Sequence, residues 1–133
     1  MESPFGRKLA LFAADCITEK KGEGIVILDL RRLNAPADFY LVASASSGPH
    51  LKALADHLDN ALAGRGLSAL HVDGYGNSGW VVMDYFDVLI HLFLRERRAY
   101  YDLEDLYADA PRIRRDGGAS PGPVRGRKPR RRR

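Results

Sequence analysis

Two aspartates, Asp84 and Asp87, flank the dipeptide Tyr85-Phe86, with Trp80 and His91 at matched distances outside them. Nearby carboxylates repel, so such a pair calls for a metal, a cationic partner or a raised pKa. As metal ligands they would suit a nucleotidyltransferase. That chemistry also needs a Gly-Ser helix entry followed by a strand carrying Asp-x-Asp or Asp-x-Glu. Ser46-Ser47-Gly48 precedes a helical pattern, but no such strand follows at a suitable distance. The residues therefore argue against an enzyme, leaving a solvated turn or a partner's Lys/Arg as the complement of these carboxylates.

Other ligand-capable residues are scattered. His50 and His57 are seven apart, on one side of a helix, while His71 and His91 fall in strands. A zinc site wants a tighter cluster with cysteine or acidic ligands, and the single cysteine, Cys16, belongs to a different element. No metal or cofactor is predicted. Cys16 lies on the apolar side of its helix and reads as a buried structural thiol. His91 reads as a surface hydrogen-bonder beside Trp80, since no nucleophile sits at motif spacing.

The charge is divided. Residues 112–133 hold ten Arg/Lys and one acid, a net of +9, whereas residues 1–111 hold eleven Arg/Lys and sixteen Asp/Glu, a net of −5. The expected organisation is one acidic folded domain over residues 1–111 and a basic, disordered tail over 112–133, rich in Gly, Pro, Ser and Arg. Arg125, Arg127, Lys128, Arg130 and Arg131 would attract any polyanion, RNA included, through salt-dependent phosphate contacts. A merely solubilising tail is the alternative. With one cysteine, no apolar run of membrane-spanning length and no signal-like start in MESPFGRK, the expected location is the cytoplasm.

The elements that must position these residues follow from periodicity. Gly79 to Leu94, GWVVMDYFDVLIHLFL, reads as two strands joined at Asp84–Asp87. Pairing Asp84 with Asp87, Val82 with Leu89 and Trp80 with His91 puts Val81, Met83, Val88, Ile90 and Leu92 on one apolar face. The other face carries Trp80, Val82, Asp84, Asp87, Leu89 and His91. This mixed face is either a partner-binding patch, aromatic area ringed by polar groups, or a half-solvated sheet with one stray aromatic.

Upstream, residues 5–21 form a helix with Leu9, Phe12, Ala13, Cys16 and Ile17 inward. Ile25–Leu30 and Asp38–Ser44 form a hairpin with a longish loop. A second helix runs from a serine cap near Ser46-Ser47 to about Ala63, and Leu67–Val72 is a strand. Strand two, this helix and strand three make a βαβ unit with parallel strands. A closing helix covers Arg95–Ala108, with Tyr100, Leu103 and Leu106 or Tyr107 inward. The fold class is α/β, a five-stranded mixed sheet with about three helices.

Several stretches together resemble a known family: IVILDLRRLNAPADFYLVASASS, HLKALAD, GLSALHVDGY, GWVVMDYFDVLIHLF and YYDLEDLYADAPRI. Residues 8–113 are similar to the ribosomal silencing factor, or Iojap-like, family. The resemblance implies a nucleotidyltransferase-like topology without known catalysis. It implies binding to the large ribosomal subunit, on the ribosomal protein numbered fourteen. There the factor sterically blocks joining of the small subunit and represses translation when nutrients are short. Carried over by motif, the contact residues are Trp80, Asp84, Tyr85, Asp87 and His91, with Asp38 and Tyr40 as weaker candidates. Two positions depart from the family's pattern. Phe86 stands where glycine is common, so the loop is wider or Phe86 projects as an extra contact. Ala37-Asp38-Phe39-Tyr40 replaces Thr-Asp-Tyr-Phe and moves the hydroxyl to Tyr40. A homodimer of the free protein is compatible with an apolar sheet edge or face, though no residue specifies one.

Overall fold

The computed structural model describes residues 4–74, 79–113 and 119–120. Helix α1 spans Pro4–Glu19 and α2 Gly48–Ala63; two shorter helices, α3 (Arg95–Tyr101) and α4 (Leu103–Leu106), follow the last long strand. The strands are β1 (Glu23–Asp29), β2 (Phe39–Ala45), β3 (His71–Asp73), β4 (Trp80–Asp84), β5 (Val88–Leu94), β6 (Arg112–Ile113) and β7 (Ala119–Ser120). They form one mixed sheet in the order β3-β4-β5-β2-β1-β6-β7. The five expected strands are present, and two-residue strands β6 and β7 extend the sheet beyond β1. The sheet thus runs past the expected domain boundary at residue 111.

Helices α1 and α2 cover one face because their apolar stripes leave no other place to go. Leu9, Ala13, Cys16 and Ile17 of α1 and Leu51, Leu54, Ala55, Leu58 and Leu62 of α2 are all buried in the main core. Opposite them lie Leu41 and Ala43 of β2, Val81 and Met83 of β4, and Val88, Ile90 and Leu92 of β5. Helix α2 begins where Ser47, in extended backbone, turns its hydroxyl to accept the His50 N–H at 3.2 Å. Helix α1 ends with Lys21 at φ 63 and the Gly22 N–H donating to the Ile17 carbonyl at 2.9 Å.

The βαβ expectation holds in strand direction, but the two strands are not neighbours. β2 pairs in parallel with β5, not β3, and β3 pairs antiparallel with β4. Strand β3 keeps the direction of β2 but sits beyond β5 and β4, because the long apolar β5 takes the central place that a three-residue strand cannot fill.

The other face carries a second, smaller core of Leu28, Leu30, Ala37, Tyr40, Val42, Phe93 and Ala110, against which Leu103 and Tyr107 pack. Its cover depends on a break in the expected closing helix. Asp102 takes φ 47, ending α3 and redirecting the chain into the four-residue α4. Aspartate tolerates this left-handed conformation better than most residues. Leu103 and Tyr107 therefore reach the sheet, while Leu106 is left 70% exposed. Arg98 fastens the corner, donating to both Glu104 carboxylate oxygens at 3.2 and 2.8 Å and to the Ser44 hydroxyl at 2.9 Å. Among the described residues, no helix is long and apolar enough to cross a membrane.

Candidate functional site

Strands β4 and β5 build the site. Their register is Trp80↔Phe93, Val82↔His91 and Asp84↔Leu89, two positions away from the expected pairing. An even shift preserves the faces. The cause is the turn, in which Tyr85 donates to the Val88 carbonyl at 2.9 Å. Only Phe86 and Asp87 are left to reverse the chain. Phe86 has φ 72, and the Asp87 N–H returns to the Tyr85 carbonyl at 2.9 Å, a tight γ-type reversal. Of the two alternatives for Phe86, the structure takes the tight loop with a projecting ring, 73% exposed.

The turn also separates the two carboxylates. Asp84 accepts the Phe86 N–H at 2.8 Å and remains on the mixed face. Asp87 leaves that face: a Cβ built on Gly6 of α1 would lie 3.1 Å from its own, so it stands beside the first helix. Asp38 immediately precedes β2, next to Asp87 in the parallel register, and its backbone neighbour Phe39 donates to the Asp87 carbonyl at 3.0 Å. All three half-buried carboxylates therefore lie at the same end of the sheet as Phe86.

His91 is not the expected surface group. It is 5% exposed, with its Nδ1 accepting the Trp80 indole N–H at 3.1 Å and its ring 4.5 Å, centroid to centroid, from that of Tyr40. Burial lowers its pKa to about 4, so the imidazole is neutral near pH 7 and carries its proton on Nε2. Trp80 stacks on Phe93 with centroids 5.1 Å apart and stays half-exposed. Tyr40, 5% exposed, stands edge-on to Tyr107; burial and a hydrogen bond to that residue raise its pKa. Tyr85 turns into the main core and is 7% exposed.

What remains open to a partner is a strip along β4 and β5: Trp80, Val82, Asp84 and Leu89, all half-exposed, with Phe86 at its tip. His71 and Asp73 of β3 pair with Asp84 and Val82 and extend the strip to the sheet edge. Val82 and Leu89 lie on the mixed face by alternation, but their exposure depends on how far the C-terminal cover reaches, which no local pattern reveals.

The protein-family model described as "ribosomal silencing factor during starvation" matches residues 5–133. This chain belongs to the ribosomal silencing factor family. The ribosomal silencing factor of Halalkalibacterium halodurans is 32% identical over 111 residues, covering 84% of this chain and 95% of the relative. That of Bacillus subtilis is 32% identical over 103 residues, 77% and 86% of the two chains. A crystal structure of a Chromobacterium violaceum protein superimposes with TM-score 0.74 at 30% identity, covering 80% of this chain and 87% of that one.

Within this ribosomal silencing factor fold, the residues carried over by motif divide by location. Trp80, Asp84, Asp87 and Asp38 reach the surface, whereas Tyr85, His91 and Tyr40 are buried beneath it. The tail candidates Arg125, Arg127, Lys128, Arg130 and Arg131 lie outside the described residues.

Cys16 does belong to a different element from His57, but sequence separation does not keep the two apart. Helices α1 and α2 pack together and bring Cys16, Glu19 and His57 into one cluster, with ligand atoms all within 4.8 Å of one another.

Proposed function

We propose that this protein is a translational repressor that binds the large ribosomal subunit through the ribosomal protein numbered fourteen. Bound there, it sterically blocks the small subunit and lowers translation under nutrient limitation. Family membership supports the reading, and the observation that carries it is the strip of Trp80, Val82, Asp84 and Leu89 left open between the C-terminal cover and the sheet edge. An aromatic centre with apolar neighbours and carboxylates at its rim suits a protein partner. The acidic end formed by Asp38, Asp84 and Asp87 complements a basic ribosomal protein.

The protein acts in the cytoplasm by occupying space, without catalysis; the Asp84 carboxylate is already engaged by the Phe86 N–H. Its topology is read as nucleotidyltransferase-like without that chemistry. The basic tail adds a contact to ribosomal RNA, and free copies pair as homodimers.

Sedimentation with isolated large subunits at low and moderate salt, followed by addition of small subunits, tests the mechanism. Binding that survives moderate salt and reduces joined ribosomes is the expected result. Binding confined to low salt, with normal joining, would leave only a tail attracted to RNA.

A further inference from the structure

We propose that Cys16, Glu19 and His57 form a transition-metal site that clasps α1 to α2, with Zn²⁺ as the ion their chemistry fits. It lies on the helix-covered side of the molecule and is independent of the ribosomal reading.

Cys16 and Glu19 are three residues apart on one helix, so both side chains rise from the same face one turn apart. His57 meets them from the neighbouring helix, its Nε2 already 2.9 Å from Glu19 Oε1. The three ligand atoms lie within 4.8 Å of one another. Tetrahedral zinc, with bonds of about 2.0–2.3 Å, holds its ligands roughly 3.3–3.8 Å apart. Glu19 has a side chain that is 65% exposed and can swing to close the difference.

The donor set is selective. A thiolate and an imidazole favour zinc over magnesium or calcium, and thiolate plus carboxylate balance a dication. Three protein ligands leave a fourth position for water. On binding, the Cys16 sulfur releases its proton to solvent as the sulfur–metal bond forms. The hydrogen bond between His57 and Glu19 opens, Nε2 gives its lone pair to the ion, and the ring proton resides on Nδ1. Burial, then Glu19 and Asp15, push the thiol pKa up against the opposing charge of Arg65. A bound dication reverses that field. The clasp would hold the two helices of the main core together and shield the thiol.

The cluster was hidden because its ligands come from two helices about forty residues apart in sequence. His50, on the same helix as His57, serves as a control: its Nε2 bonds instead to the Lys20 carbonyl at 2.8 Å. Titration of the full chain with Co²⁺ should give a thiolate-to-cobalt absorption band in the near ultraviolet and tetrahedral bands in the visible, both displaced by Zn²⁺. Loss of even an outer-shell partner weakens metal sites by about 10–100-fold. Glu19→Gln and His57→Gln should therefore each weaken Co²⁺ binding at least about tenfold, Cys16→Ser should remove the near-ultraviolet band, and His50→Gln should change neither. Glu19 and His57 reach the surface, so their variants remain informative if Cys16→Ser fails to fold. An absent thiolate band in the parent protein, or parent-like affinity in His57→Gln, would overturn the proposal.

Discussion

The two faces of the β4–β5 hairpin are built from the same alternation and end in different states. Val81, Met83, Val88, Ile90 and Leu92, facing α1 and α2, are each no more than 1% exposed. On the opposite face, Phe93 and His91 are buried, whereas Trp80, Val82, Asp84 and Leu89 are only half covered. Two sixteen-residue helices close the first face; among the described residues, the second is covered by the short segment after Asp102 and by the connection around Ala35 and Ala37. The proposed contact surface lies where this cover runs out, and it is largely aromatic and aliphatic.

The contrast is broken most severely from the helix side. Leu54 is fully buried in α2, so Leu54→Ala should cost about 3–4 kcal/mol by urea denaturation. The remaining folded protein should bind its partner with unchanged affinity.

Acid attacks the other face. The folded-state pKa of His91 lies below its unfolded value, so the unfolded chain binds the proton more readily. The stability associated with a neutral His91 is complete above about pH 6.5 and is lost as pH falls towards 4, an effect of about 3 kcal/mol. His91→Gln should flatten that part of the stability–pH curve, and an unchanged slope would count against this account of the buried imidazole.

Trp80→Ala sharpens the distinction between core and contact. Removing a central aromatic anchor should weaken large-subunit binding by about 2 kcal/mol, measured as a change in Kd. Parent-like affinity would displace the strip as the contact surface. The smallest effect is expected at the tip: Phe86→Gly should stabilise the fold by about 1 kcal/mol, because glycine accepts positive φ without a Cβ clash. Thermal denaturation would measure it.

Much of the hairpin was legible because strand alternation has period two and tolerates an error of two residues. The faces survived the register correction for that reason. Register itself was not legible, since it depends on Phe86 accepting a conformation that residue statistics disfavour. Nor was the burial of His91 and Tyr40: it requires the αL break at Asp102, which reads locally as one more helical residue. The main core was accessible because α1 and α2 carry regular stripes. Their docking, and hence the meeting of Cys16 with His57, is a tertiary fact.

Strand order sets a span across the molecule. Trp80 stands on β4, second from one edge, while β7 forms the other edge five positions away, roughly 24 Å at about 4.8 Å per strand. Trp80 and Ser120, after which the basic residues follow, therefore lie towards opposite flanks of the sheet. Residues 121–133 extend at most about 45 Å. On the proposed reading, a surface that offers a protein patch and a polyanion within that reach engages both ends together, and a ligand matching only one end forfeits the avidity of the pair.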